Sequence, residues 1–152
     1  MKVFLDTNVI IDFYAQRENF FRPAAIIVDL AMKKGIELCA SSLSFVNAFY
    51  VLRKTYSVED LYEKLSLFSD LCTITSIGVS EIRYSLNNRS LDFEDTVQYI
   101  SAKSIKPDVI VTRNTRHFRD LDVMVKSPTE FLDDYFRFFR FSRWWDRTII
   151  QS

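Results

Sequence analysis

The chain has 152 residues, 48% of them hydrophobic and 26% charged, with twenty Lys and Arg set against twenty Asp and Glu. That length suits one domain with a real core, and the balanced charge argues against a passive binder of duplex DNA. Gly35 and Gly78 are the only glycines and His117 the only histidine, which excludes a GxGxxG fingerprint, a Walker A loop, HExxH and any His-rich metal site.

The elements follow in chain order. Val3–Leu5 is a short apolar run ending at Asp6 and predicts a buried strand, with a helix over Val9–Tyr14 behind Asp6-Thr7-Asn8. Pro23 suits the first position of a helix whose apolar face is Ala24, Ile27, Val28 and Ala31, and Gly35 suits its terminator. Ile36–Ala40 predicts the second strand, followed by helices over Leu43–Lys54 and, capped by Ser57, Val58–Asp70. Leu71–Ile74 predicts the third strand, and Ser80 starts a short helix over Val79–Asn87. Asp92 caps the next helix, Leu91–Ser104, which carries Glu94 and Asp95 in its first turn. Val109–Val111 and Val123–Val125 predict the last strands, and Pro128 and Glu130 open a C-terminal helix.

Strands alternating with helices predict a parallel sheet covered on both faces. Cys39 and Cys72 lie in apolar runs and read as small core residues. The N-terminal MKVFLD lacks a signal-peptide core and no apolar run approaches a membrane span, so the expectation is a cytoplasmic protein with no membrane partner.

In open sheets of this kind ligands bind beyond the carboxyl ends of the strands. Asp6, Thr7 and Asn8 follow the first strand, Ser41, Ser42 and Asn47 the second, and Thr112, Arg113 and Asn114 the fourth. Asp92, Glu94 and Asp95 stand at a helix start that belongs at the same edge. This inventory of carboxylates, amides and hydroxyls suits a hard cation such as Mg2+ or Mn2+. Clustered carboxylates repel one another, and a divalent ion relieves that repulsion. Taken singly, Asp6, Asp92 and Glu94 are equally well explained as helix caps and first-turn acids.

VFLDTNVIIDF, LDFEDTVQY and VIVTRNTRHF resemble, in order and spacing, the three signature stretches of the PIN domain family. The resemblance is to its bacterial, VapC-like branch and covers about residues 1–132. It implies a three-layer α/β/α sandwich with a five-stranded parallel sheet, and Mg2+- or Mn2+-dependent cleavage of RNA by a cluster of acids. Asp6 and Asp95 match the family's first acid and its central-helix acid, and Asn114 its fourth position. Asn8 and Thr112 follow its DTN and Thr patterns. The family's second acid, a Glu on the helix after strand two, is replaced by Asn47 within SSLSFVNAFYVLRK, which resembles a subgroup of bacterial members.

The expected site therefore has Asp6, Asp95, Asn114 and Asn47 as catalytic residues and Asp6, Asp95, Asp92 and Glu94 as metal ligands. Thr7, Asn8, Thr112, Arg113 and Arg116 are expected to contact nucleic acid, in a local basic run that includes Lys103, Lys106 and Arg119. His117 receives no role. The expected activity is that of a metal-dependent endoribonuclease on single-stranded or structured RNA, the toxin half of a toxin–antitoxin pair with a small antitoxin as partner. The alternatives are an inactive PIN module that binds nucleic acid, and a protein-interaction module. Residues 1–132 form the expected domain. Residues 133–152, where Trp144 and Trp145 sit among aromatics and arginines, form an extension expected to pack on the domain or in a homodimer.

Overall fold

Leu5, Ala40 and Val111 stand level on neighbouring strands, and around them the sheet is apolar on both sides. The computed structural model describes residues 1–89, 92–118 and 122–149, with side chains as far as Phe138. Five strands, β1 (Lys2–Leu5), β2 (Glu37–Ser41), β3 (Cys72–Thr75), β4 (Val109–Val111) and β5 (Met124–Lys126), pair in the order β3-β2-β1-β4-β5. Every pairing is parallel, as the alternation of elements predicts. The order reverses between β1 and β4, so the carboxyl ends of these two strands open the crevice where such sheets bind ligands.

The period of two along each strand divides the core. Val3, Leu5, Leu38, Ala40, Val109 and Val111 face α1 (Thr7–Tyr14), α2 (Phe21–Met32), α3 (Ser42–Leu52), α4 (Val58–Leu71) and α7 (Pro128–Ile149). Phe4, Cys39 and Ile110 face the other way, against Ala102 of α6 (Phe93–Lys103) and Phe118. Phe118 ends a 3-10 turn, Thr115–Phe118, too short to show a period in sequence. α5 (Val79–Asn88) packs beside α6 and completes that layer. Cys39 is buried and Cys72 half-buried, and burial pushes their thiols up to about 11 and about 12.

Several helix ends differ from expectation for definable reasons. α2 begins at Phe21, so Pro23 is its third residue, where its missing N–H still costs no helical bond. Its end is a Schellman motif in which Lys34, not Gly35, takes the left-handed position, with φ 58°. The Lys34 N–H donates to the Ala31 carbonyl and that of Gly35 to the Leu30 carbonyl. Gly35 is required for closeness instead: a Cβ there would stand 2.8 Å from the Tyr135 hydroxyl. α5 is capped at Gly78, whose N–H donates to the Glu81 carboxylate at 2.7 Å, and Ser80 lies inside the helix. Phe131, Leu132 and Tyr135 of α7 join the main core, so this helix is seated on the domain across residue 132. Trp144 and Trp145 lie outside the described side chains. Among the described residues no helix is long and apolar enough to cross a membrane.

Candidate active site

Asp6 follows β1 at the cap position of α1, yet its side chain makes no cap bond. It turns instead into the crevice between β1 and β4, only 3% exposed. Its Oδ2 accepts from the Thr112 hydroxyl at 2.6 Å and the Asn8 amide at 2.5 Å, and its Oδ1 from Gln98 Nε2 at 3.2 Å. All three side-chain donors are neutral. Burial therefore raises the Asp6 carboxyl above the usual range, and the hydrogen bonds offset only part of the rise.

Three further elements converge on it. α6 is capped by Asp92, whose Oδ1 accepts the Asp95 N–H at 3.0 Å, and this cap sets Glu94 and Asp95 at the cleft. α3 is capped by Ser41 and brings Asn47, whose amide donates to Glu94 Oε1 at 2.6 Å. The 3-10 turn places His117 Nδ1 2.5 Å from Asp95 Oδ2 and 3.6 Å from Asp92 Oδ2. Burial raises Glu94 and carries Asp95 to about 6, and Asp6 and Asp92 add repulsion to each. The bond to Asp95 raises His117 above its ordinary 6.5.

Beneath the cleft, Gln98 holds two of these acids in place. Its Nε2 donates to Asp6 and, at 3.3 Å, to Glu94, while its Oε1 accepts from the Ser44 hydroxyl at 3.1 Å. Ser44 in turn bonds to Ser41 and Thr7, so a buried hydroxyl chain fixes the amide's orientation.

Asp6, Asn47, Asp92, Glu94, Asp95 and Asn114 line a cleft of about 320 Å³, with Thr7 and Asn8 on its wall. Thr112 lies under the wall, where its hydroxyl also accepts the Asn114 N–H at 2.9 Å. Arg116 is exposed and does not line the cleft. Arg113 turns away from it: its Nε approaches buried Asp12 Oδ2 at 2.8 Å, and its guanidinium covers the Phe20 ring at 4.5 Å. A groove of about 700 Å³ between the amino end of the sheet and α7 is larger and mostly apolar. Its acids are already engaged, Asp108 by the Lys2 N–H and Asp134 by Lys126, so the convergent chemistry is in the smaller cleft.

Gln98, His117 and the Arg17 that shares the cleft wall are site residues beyond those named from sequence. Gln98 had a signal, being a long amide on the α6 face that otherwise buries Val97, Ser101 and Ala102. His117 had none, because it reaches the cleft through a contact with another element, α6; Arg17 sits just after α1, and nothing in its local sequence shows that it turns to the cleft.

A parallel sheet of this order with acids at its switch point is an α/β fold that presents carboxylates where such sheets bind ligands. The PIN domain family profile matches residues 2–116, and the chain belongs to that family. It is 27% identical over 140 residues to Ribonuclease VapC1 of Aquifex aeolicus (strain VF5), a match spanning 87% of this chain and 94% of the relative. The fold is similar to that in VapBC2 from Rickettsia felis bound to a promoter DNA fragment, at 18% identity, TM-score 0.59 and coverage of 84% and 98% of the two chains. It is also similar to that in VapBC-1 from nontypeable Haemophilus influenzae, at 16% identity, TM-score 0.61 and coverage of 85% and 99%.

Proposed function

We propose that the chain is a divalent-metal-dependent endoribonuclease and the toxin half of a toxin–antitoxin pair. One observation carries the chemistry: Asp6, Glu94 and Asp95 share a cleft in which burial and mutual repulsion oppose their ionisation. The donor set fits a hard cation, since Asp6, Asp92, Glu94 and Asp95 offer carboxylate oxygens, with Asn47 and Asn114 beside them. These four acids would hold Mg2+ or Mn2+. When bound, the ion supplies an activated water and a counter-charge to the phosphate.

The remaining work falls to the chain. Thr112, Asn8 and Gln98 hold the Asp6 carboxylate in one orientation. Asn47 lacks the charge of an acid and acts by steadying Glu94. Arg17, 41% exposed and only loosely paired to Asp12 at 3.5 Å, is the cation on the cleft wall that meets a substrate phosphate. Arg116, exposed beside the cleft, adds to the approach of RNA.

The similarity to a relative named as a ribonuclease and to VapC chains from toxin–antitoxin complexes supports RNA as substrate and a small antitoxin as partner. On this basis the protein is cytoplasmic. Residues 1–132 form the catalytic domain, and residues 133–152 an extension that packs on it or in a homodimer. The test is Mn2+ titration with a single-stranded RNA cleavage assay on wild type and Asp6→Asn. Cleavage by wild type alone supports the proposal. Absence of cleavage by wild type at about 10 mM Mn2+ overturns it in favour of an inactive nucleic-acid-binding module.

A further inference from the structure

We propose that Asp92, Asp95 and His117 form a mixed oxygen–nitrogen site for a first-row transition-metal ion, with His117 Nδ1 as a direct ligand. Resting on the nuclease function proposed for this cleft, the site adds a choice of ion, Mn2+ and later first-row metals over Mg2+.

The geometry is that of three donors already gathered. One ligand atom from each side chain lies within 4.8 Å of the other two. Each is held by a separate restraint. Asp92 spends Oδ1 on the α6 cap, and its Oδ2 stands 3.6 Å from the imidazole. Asp95 is the fixed third residue of that helix and is buried. His117 rides on a 3-10 turn anchored by buried Phe118 and by its own N–H, which donates to the Asn114 carbonyl at 3.0 Å. The His117 and Asp92 side chains are 45% and 41% exposed, which leaves an entry path, while Asp95 closes the floor at 10%.

The 2.5 Å approach of Nδ1 to Asp95 Oδ2 sets a nitrogen and an oxygen donor side by side at the cleft. Both atoms are good metal ligands in their deprotonated forms, so one ion can engage the pair. The nitrogen then decides which ion. Mg2+ favours oxygen ligands and retained water, whereas an imidazole nitrogen suits Mn2+ better, Co2+ and Ni2+ better still, and Zn2+ well. A cleft of carboxylates alone would show little such preference. Asn47, the neutral residue across the cleft, brings no negative charge to the ion and so increases the weight of the nitrogen.

The test uses the full, tag-free chain and Mn2+ alone. His117 is the only histidine, so a 14N hyperfine coupling from imidazole on bound Mn2+, seen by pulsed EPR, has a single assignment. The expected result is that coupling in wild type. His117→Ala and His117→Gln should lose it and bind Mn2+ about tenfold more weakly, with Mg2+ affinity within about twofold of wild type. If a variant fails to fold, the wild-type spectrum alone decides. Bound Mn2+ without nitrogen coupling overturns the site and leaves the nuclease function standing. Failure of wild type to bind Mn2+ at all overturns both, and is read separately from the missing coupling.

Discussion

Two buried aspartates, Asp6 and Asp12, lie at either end of α1 and are 3% and 1% exposed. Burial raises both carboxyls above the ordinary range. Their neighbours differ. Asp12 has Arg113 and Arg17 at 2.8 and 3.5 Å, and their charges offset part of its burial cost, although none of these contacts is aligned as a hydrogen bond. Asp6 has, among the described residues, the side chains of Asn8, Gln98 and Thr112 and the Thr7 and Asn8 N–H groups, which orient it without supplying charge. A buried acid given cations belongs to the scaffold, while one given neutral donors beside other acids is, on the proposed function, the place where a cation from outside would bind.

The largest effects should separate the two by activity. Asp6→Asn should lower RNA cleavage by at least about 10²-fold in a gel assay, since on the proposed function it removes a charged ligand at the reacting centre. Its far-UV circular dichroism should match wild type, because no arginine loses a partner. Asp12→Asn should retain a larger share of activity per folded molecule. Equal loss in both variants at equal folded fraction would dissolve the distinction.

Stability should separate them in the opposite sense. Asp12→Ala strands two arginines and should cost about 1–3 kcal/mol in urea unfolding, below the roughly 3–5 kcal/mol of a fully buried pair. The discount follows from the 41% and 27% exposure that Arg17 and Arg113 retain. Asp6→Asn, freed of an uncompensated buried charge, should leave metal-free stability unchanged or higher.

The pair also shows what was legible beforehand. Asp6, Asp95 and Asn114 stand out because a strand end or a helix cap is a local feature, written in a few neighbouring residues. The layers were legible too, since Val3, Phe4 and Leu5 alternate between two cores. The partnership of residues 12 and 113 was not, because it exists only once β1 and β4 lie side by side, and no local residue encodes strand order. Arg113 looked available to phosphate for the same reason, its partner lying about a hundred positions away. His117 received no role because the family the chain resembles needs no histidine, and a four-residue 3-10 turn has no period to reveal where its side chains point.

Acidity offers a third measurement. Asp95 titrates near 6 in the folded state against 3.8 unfolded, so the folded state binds its proton more tightly. That contribution is full below about pH 4 and lost as pH rises through 6. His117, also raised, has the same sign, and its contribution disappears as pH rises through its folded value above 6.5. The metal-free cleft should therefore weaken the fold between pH 4 and 7, and Mn2+ should reverse this by binding the ionised groups. The Mn2+-induced rise in melting temperature should be small at pH 5 and grow towards pH 7.5. A rise independent of pH would place the ion away from these acids.

The smallest and most discriminating effect concerns Asn47. Its amide donates to Glu94 Oε1 at 2.6 Å on the exposed side of the cleft. Asn47→Glu replaces that donor with a second negative charge, so the metal-free protein should lose about 1 kcal/mol through a broken charge-assisted bond and new repulsion. The same charge is a further oxygen ligand, and ligand charge count governs divalent affinity, so Mn2+ and Mg2+ binding should both tighten by roughly tenfold. The two effects have opposite signs and cross as metal is added: the variant melts below wild type in chelator and above it in millimolar Mn2+. Asn47→Ala serves as the control, losing the bond without gaining the charge, and should melt below wild type in both conditions. A Glu variant that stays below wild type at every Mn2+ concentration would show that position 47 faces Glu94 but not the ion, and the acids of α6 and Asp6 would then form the whole of the site.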